Sequence, residues 1–406
     1  MTLVQLAAAV AAFDPEAATQ AYLATLKGAA RAKSDAYFEG GYWLILWGAL
    51  VAIAGELVQL HFGLARHWRD WAERIAPRWL APALFSVPYA VAGSLIVLPW
   101  TIYTSYFREK QYDLMNQSFG DWLLDQGKGL GINVIGSIIL FTIVMAVIRK
   151  SPKRWWLWGA LTMSAFVAFG AMVVPVFVSP MFNTYTEMKA GPLRDRIVAM
   201  AKANNVPAEH IYVFDASKQT KRISANVSGL GPTIRISLND NLLNRTTPAE
   251  TAAVMGHELG HYVLGHVWKS IVAFTVIFLL VFFIAFRAVP AIIQRYGAGW
   301  GVRDVADPAA IPVFFIVVAI IGVFLTPVTN TLIRVNESEA DAFGLSAARE
   351  PDGFATTALA LSEYRKIEPV PVEEFLFFDH PSGKTRIRMA MDWKAAHLAE
   401  VEAKAK

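Results

Sequence analysis

Six long apolar segments constrain the fold of this chain more than any other feature of its sequence. A helix that crosses a membrane needs about 20 mostly apolar residues. Only 17% of the 406 residues are charged, against about a quarter in an ordinary soluble domain. The sequence therefore predicts a mainly α-helical, polytopic membrane protein with these six spans: Tyr42–Gly63, Leu80–Thr104, Leu130–Ile148, Trp156–Val178, Ser270–Phe286 and Ala310–Ile333.

Two polar stretches, residues 180–268 and 334–406, have the charge density of soluble protein. The first contains an alternating strand pattern at Thr233–Leu238. Because two predicted spans separate the stretches, both emerge on the same side of the membrane and can form one small α+β domain. We therefore predict four parts. Residues 1–179 form a membrane domain with an amphipathic lead-in and four spans, and residues 180–268 form the first polar part. Residues 269–333 form a two-helix hairpin, and residues 334–406 form the second polar part.

The composition excludes several classes of protein and site. The chain has no cysteine, so it has neither disulfides nor thiolate metal ligands. Its net charge of +4 is too small, and its basic residues too scattered, to indicate a nucleic-acid partner. The apolar run Leu3–Phe13 lacks a basic start, and we expect it to be retained and not cleaved as a signal peptide.

The strongest local signal is the pentapeptide His257-Glu258-Leu259-Gly260-His261. On a helix, residues i and i+4 share a face, so both imidazoles can reach one metal ion. Thr247, Pro248 and Glu250 form the pattern that begins a helix, with a capping box, and this places the motif inside a helix. Glu258 can then act as the base toward a water whose pKa zinc lowers to about 7.

A catalytic zinc usually has a third protein ligand. Position 267, where a third histidine of the extended motif would fall, is valine. On an ideal helix His266 points about 100° away from position 267, so we expect a structural histidine there and not a ligand. Glu337 and Asp341 share a helix face, so Glu337 can bind the metal while Asp341 accepts the free ring N–H of a ligand histidine. From the residues alone, these acids can equally well solvate a helix leaving the membrane, and Glu339 reads as solvated.

The first predicted span also carries polar groups at Glu56, Gln59 and His61. Ionisable groups inside a membrane usually face a cavity or a partner on another helix. Both interpretations remain open from the sequence.

These motifs resemble the type I CAAX prenyl protease family, membrane zinc metallopeptidases of the gluzincin type, and this chain is similar to a bacterial homologue. The family removes a C-terminal tripeptide from prenylated proteins. The resemblance covers most of residues 80–390. Because some relatives have seven membrane helices, we expect either six or seven membrane helices in this chain. The matching residues are His257–Tyr262, Gly265-His266, Glu337 with Ala340-Asp341, Glu109, Asn116–Ser118, Asp125, Pro180–Thr186 and Asp240–Leu243.

The resemblance implies one zinc ion per chain, held by His257, His261 and Glu337, with Glu258 as the catalytic base. It also implies that Asp341 and Arg334 support these ligands, and that His380 and Arg386 steady the substrate or the oxyanion. The chain departs from the family at its edge strand, where Ala225, Asn226 and Val227 stand in place of an Asn-Ala-Tyr-like sequence. We still expect these three residues to bind an extended substrate by strand addition, with the substrate preference left open.

The sequence thus predicts a zinc metalloendopeptidase that acts on C-terminal segments of prenylated or other membrane-associated proteins. Its predicted partners are a peptide or protein substrate, lipidated or not, and membrane lipid. The alternatives are a quality-control protease with the same chemistry, and a carrier or scaffold whose zinc is structural. We expect a bacterial inner membrane or the endoplasmic reticulum, with the active site on the cytoplasmic side. Nearly equal numbers of Lys and Arg flank the spans on the two sides, so the positive-inside rule does not decide that orientation.

Overall fold

The structure, a computed structural model, describes residues 13–207, 210–229 and 234–405. The signal-like run predicted at Leu3–Phe13 lies outside this part of the chain, apart from Phe13. The described strands are β1 (Tyr185–Glu187), β2 (Ile211–Phe214), β3 (Ala225–Ser228) and β4 (Arg235–Asn239). The described α-helices are α1 (Pro15–Leu23), α2 (Gly28–His61), α3 (Leu64–Ile75), α4 (Ala81–Ile102), α5 (Arg108–Gln111), α6 (Phe119–Lys150), α7 (Trp155–Val173), α8 (Pro192–Ala203), α9 (Asp240–Arg245), α10 (Pro248–Val263), α11 (His266–Trp300), α12 (Ile311–Ala348), α13 (Pro351–Leu361), α14 (Pro371–Phe377), α15 (Gly383–Ala396) and α16 (Leu398–Ala405).

Six helical segments among the described residues are long and apolar enough to cross a membrane, which confirms the predicted fold class. They contain α2, α4, α6, α7, α11 and α12. Both α4 and α7 continue through a π-helical turn, at Tyr103–Phe107 and Val174–Val178, and a proline lies before or within each turn. The helices exceed the predicted spans, and α12 runs past Ile333 to Ala348 without a break. One stiff helix therefore carries both a membrane span and the residues around Glu337.

A four-stranded sheet, in the order β1-β2-β4-β3, forms the strand part of the polar domain. The pair β2–β4 is parallel, and β1–β2 and β3–β4 are antiparallel. Ile211, Ile236 and Leu238 on this sheet are fully buried against Met255 and Leu259 of α10. The sheet thus supports the helix that bears the histidine motif, and β3 lies at its edge.

The N-terminal lead-in contributes to the polar domain as well as to the first span. Leu23 of α1 belongs to a buried cluster with Ile387 and Met391 of α15. The charged residues between Gly28 and Tyr42 are already part of α2. Since α11 and α12 also run through two of the predicted boundaries, the four-part division stays a prediction.

Glu56 lies between two membrane helices. Its carboxylate accepts hydrogen bonds from Tyr89 of α4 at 2.9 and 3.0 Å and from Gln59 at 3.2 Å. Of the two interpretations from the sequence, these contacts favour a polar link between α2 and α4.

The crossing of α10 and α12 is unusually close because glycines meet there. A Cβ at Gly344 would lie 2.7 Å from the backbone nitrogen of His257, and one at Gly256 would lie 2.8 Å from the carbonyl oxygen of Gly344. Backbone atoms cannot yield as the end of a flexible side chain can. Glycine at these two positions therefore sets the separation of the helices.

We predict that Gly344→Ala pushes the two helices apart, because the new methyl group overlaps the His257 backbone. Overpacking of this kind typically costs about 1–3 kcal/mol, so the melting temperature and the metal content per chain should both fall. Gly322→Ala is the matched control, since it lies on the same helix with nothing within 4 Å of an added Cβ. Equal melting temperatures and metal contents for the two variants would contradict this account of the contact.

Candidate metal centre

Helix α10 carries the two histidines of the motif. The predicted capping box is confirmed: the Glu250 backbone N–H donates to Thr247 Oγ1 at 3.3 Å, and the Thr247 N–H donates to Glu250 Oε2 at 2.7 Å. One helical turn separates His257 from His261, and their Nε2 atoms lie 3.0 Å apart. Both rings therefore point to a common position.

Glu337 reaches this position from α12. Its Oε2 lies 3.3 Å from His257 Nε2, and its Oε1 lies 3.3 Å from His261 Nε2. The side chain is buried, and Oε2 has no hydrogen-bond partner among the described residues. A buried carboxylate oxygen without a partner is costly, and a cation held between the three side chains would satisfy it. His257, His261 and Glu337 thus form a group that could hold a metal ion.

The opposite side of the His257 ring is held by a buried ion pair. Nδ1 lies 2.7 Å from Asp341 Oδ1, and Arg386 Nε donates to Asp341 Oδ2 at 2.8 Å. Burial disfavours a charged His257, but the neighbouring carboxylates of Asp341 and Glu337 outweigh burial and raise its pKa to about 9. The carboxylate fixes the ring with Nε2 toward the metal position, as outer partners of metal ligands commonly do.

His261 is held in a comparable way by His266, which the sequence predicted to be a structural histidine and not a ligand. Its Nδ1 lies 2.8 Å from His266 Nδ1, and His266 Nε2 lies 3.1 Å from Glu339 Oε2. Glu339 also accepts from Lys269 at 2.5 Å. Glu339 is exposed, as predicted, but it also has partners, because α11 begins immediately beside the motif and brings His266 and Lys269 close to it.

A cavity of about 270 Å³ opens beside these ligands. His257, Glu258, Glu337, His380 and Arg386 line it together. Burial raises the pKa of Glu258, and a carboxylate with a raised pKa is suited to accept and return a proton near neutral pH. The remaining wall is largely apolar and comes from α10, α13 and the residues before β3.

His380 lies on the loop after α14, next to the third ligand. Its Nε2 is 3.3 Å from Glu337 Oε2, and its Nδ1 is 2.8 Å from Asp379 Oδ1. Burial and the nearby Arg365 lower the pKa of His380 despite Asp379. Arg334 does not contact a metal ligand, and it donates instead to the carbonyls of Glu374 and Phe378. It therefore holds the segment that presents His380.

Arg365 lines the same cavity and was not identified from the sequence. Its Nη2 lies 3.4 Å from His380 Nε2, and among the described residues no carboxylate lies within ion-pair distance of its guanidinium. Burial lowers its pKa. In the sequence, Tyr364-Arg365-Lys366 reads as the solvated end of a helix, and no motif marks it. Only the packing of α13 against α10 turns this arginine inward.

The predicted substrate-binding residues lie on β3. Ala225, Asn226 and Val227 pair with β4 on one side, and the other edge of β3 has no strand partner among the described residues. Ala225 and the preceding Ser224 line the cavity. An extended peptide added to this edge would pass the ligand cluster, so the placement is compatible with the predicted role.

We predict that metal binding by the metal-free protein releases protons between pH 6.5 and 8.5. In that range His257 is protonated in the folded protein, because its pKa is raised to about 9, whereas metal binding requires the neutral ring. Metal affinity should therefore rise with pH and level off above pH 9. Calorimetric metal titrations at pH 6.5, in buffers of different ionisation enthalpy, should show about one proton released per ion.

Asp341→Asn is the control for that experiment, since it keeps the shape of the side chain but removes the charge that favours a protonated His257. It should release clearly fewer protons than the wild type. The same proton release in both proteins would mean that Asp341 does not set the protonation of the ligand.

Comparisons with known proteins agree with this geometry. The sequence profile of peptidase family M48 matches residues 187–394, and the profile "CAAX prenyl protease N-terminal, five membrane helices" matches residues 18–184. The "Uncharacterized metalloprotease YhfN" of Bacillus subtilis is 27% identical over 82% of this chain and 79% of its own length.

CAAX prenyl protease 1 of Saccharomyces cerevisiae is 31% identical over 44% of this chain and 40% of its own length. The crystal structure of S. mikatae Ste24p superimposes with a TM-score of 0.75 at 18% identity, covering 93% of this chain and 94% of that one, so the two share a fold. This chain belongs to peptidase family M48 and is a multi-pass membrane metalloprotease of the CAAX prenyl protease kind.

Proposed function

We propose that this protein is a zinc endopeptidase whose ion is bound by His257, His261 and Glu337. The observation that carries the proposal is the convergence of three side chains beside a cavity lined by Glu258: the two histidine Nε2 atoms lie 3.0 Å apart, and each lies 3.3 Å from one oxygen of the Glu337 carboxylate. Ligand bonds of about 2.0–2.1 Å in a tetrahedral zinc site place the ligand atoms about 3.3 Å apart. Two imidazoles and one carboxylate also favour zinc over magnesium or calcium, which prefer oxygen ligands.

Several residues of the chain have separate roles in the proposed reaction. When bound, zinc supplies a Lewis acid that activates water and polarises the scissile carbonyl. Glu258 takes the proton of the attacking water and returns it to the leaving amine. Asp341 and His266 keep the two imidazoles oriented, and the free edge of β3 aligns the peptide by backbone hydrogen bonds.

The contacts favour different roles for His380 and Arg386, which were both predicted to stabilise the oxyanion. Arg386 donates to Asp341 through Nε and Nη2, so we propose that it acts through His257 by holding that carboxylate. His380 faces the cavity beside Glu337, with Arg365 next to it. We propose that Arg365, together with His380, stabilises the negative charge that develops on the substrate.

For the substrate, we propose C-terminal segments of prenylated or other membrane-associated proteins. Support comes from the relatives named CAAX prenyl protease 1 and from the position of the site directly beside the membrane helix α11. The quality-control protease remains the second candidate, whereas the family of the chain does not favour the carrier or scaffold. A cytoplasmic active site, in a bacterial inner membrane or the endoplasmic reticulum, follows from the proposed substrate and stays a prediction.

We predict that Glu258→Gln abolishes cleavage of a farnesylated CAAX peptide while zinc stays near one ion per chain. The substitution removes the base but none of the three ligands, and general-base catalysis contributes about 10²–10⁴-fold. Glu250→Gln provides the control, because it makes the same change on the same helix at the capping position. Undiminished turnover in Glu258→Gln would refute the assigned role.

A parallel assay of the wild-type protein distinguishes CAAX processing from quality control. A farnesylated peptide, its non-prenylated counterpart and an unfolded membrane protein are compared at equal concentrations. Preferential cleavage of the farnesylated peptide supports CAAX processing, and preferential cleavage of the unfolded protein supports quality control.

We predict that Arg365→Met lowers kcat by about 10²–10³-fold, as loss of a donor to a developing oxyanion does. KM and zinc content should change little, and Arg365→Lys should recover part of the rate. Kinetics on peptides with a free or an amidated C-terminus provide the measurement. A loss confined to peptides with a free carboxylate would assign Arg365 to the substrate terminus and overturn its role at the scissile bond.

A further inference from the structure

A second built recess lies at the other end of the membrane domain. Helix α11 begins at His266, beside the metal centre, and Pro290 borders this recess. At 1.5 Å per residue, these two positions are about 36 Å apart along the helix. The recess is therefore separate from the peptidase site by roughly the thickness of the apolar membrane core.

Three adjoining spaces form the recess and grade from polar to apolar. The most polar space, about 440 Å³, is lined mainly by charged residues, including Arg78, Arg149 and Asp304. These three residues also line a cleft of about 730 Å³ whose other walls include Trp155 and Phe286. Trp155 in turn borders an almost wholly apolar space between α6, α7, α11 and α12.

The charges of the recess leave two cations without a counterion. Arg303 pairs with Glu73 at 2.6 Å and with Asp307 at 3.0 Å. By contrast, neither Arg78 nor Arg149 has a carboxylate within ion-pair distance among the described residues. Arg149 is held by backbone carbonyls, with Nη1 donating to Arg78 at 2.6 Å and Nε and Nη2 donating to Ala306 at 3.4 and 3.3 Å.

The two arginines stand where the polar space meets the apolar cleft. Asp304 also faces this boundary, with Oδ1 accepting the backbone N–H of Ala306 at 2.7 Å. Trp79, 69% exposed, borders the cleft in the position that tryptophans favour at a membrane surface. The boundary thus combines positive charge, an adjoining apolar volume and the level of a lipid headgroup.

We propose that this recess binds one phospholipid, with its phosphate between Arg78 and Arg149 and one acyl chain in the cleft beside Trp155 and Phe286. A free phosphate would leave the apolar cleft unused, and a wholly apolar ligand would leave the two guanidinium groups uncompensated. Basic pockets between membrane helices bind lipid headgroups by this combination of charge and apolar surface. The bound lipid would join α6, α7 and α11 at the end remote from the active site.

The test measures lipid binding to the full-length, zinc-loaded protein by native mass spectrometry, with phosphatidylglycerol as the probe. Arg78→Gln should weaken retention of the lipid at least tenfold, because an exposed side chain at the binding position is lost while the fold is untouched. Lys153→Gln, an exposed basic residue of the neighbouring loop that does not line the cleft, should retain lipid as the wild type does. Zinc content and peptidase activity of both variants serve as the check on folding.

Two further probes separate the sources of the phosphate group. Inorganic phosphate and glycerol 3-phosphate should displace the lipid only weakly. Phe286→Ala should weaken the binding of the lipid without changing the binding of either small anion. Equal retention of lipid by Arg78→Gln and the wild type would overturn the proposal. Binding of glycerol 3-phosphate as tight as that of phosphatidylglycerol would show a small-anion site and would overturn it as well.

Discussion

The close crossing of α10 and α12 is the interaction on which the rest of the site depends. The histidine motif supplies two of the proposed ligands on one helix, but the third lies on a helix that first has to cross the membrane. Gly256 and Gly344 let the two backbones approach, and Gly260 packs on Ala340 one turn away. Glycine and alanine carry no bulky side chain, so they allow two helix backbones to approach this closely. Any side chain at this contact would move Glu337 away from the imidazoles.

Around that crossing, the buried carboxylate of Asp341 is paired with a buried cation, whereas the buried carboxylate of Glu337 faces the metal position. Asp341 is fully buried, and a single buried carboxylate would cost several kcal/mol. Arg386 compensates it with two hydrogen bonds, and the same carboxylate orients His257. Glu337 remains with an unsatisfied Oε2, which lies 3.3 Å from His257 Nε2 and 3.3 Å from His380 Nε2. A divalent cation is the species that completes this balance, and the donor set and its spacing favour zinc.

The membrane helices are continuous with the active site and are more than an anchor for it. Helix α11 starts at His266, which contacts a proposed ligand, and α12 ends beyond Asp341. Because these helices are stiff, the height of the catalytic centre above the membrane is set by their length. A peptide tethered to lipid would meet the cavity close to its anchoring point. The same helices reach the remote recess around Arg78 and Arg149, where we propose a phospholipid site.

The sequence by itself determined the class of fold, the six membrane spans found among the described residues and the helix that carries His257, Glu258 and His261, because hydropathy and helical periodicity are local properties. It also indicated Glu337 and Asp341, whose spacing of four residues has meaning on any helix. Tertiary structure alone decided which outer groups hold the ligands. Helix α11 brings His266 onto His261, Glu339 of α12 contacts His266, the packing of α13 turns Arg365 into the cavity, and Arg386 pairs with Asp341. Such contacts join residues far apart in the chain through packing distances of a few ångströms, and no local pattern in the sequence encodes those distances.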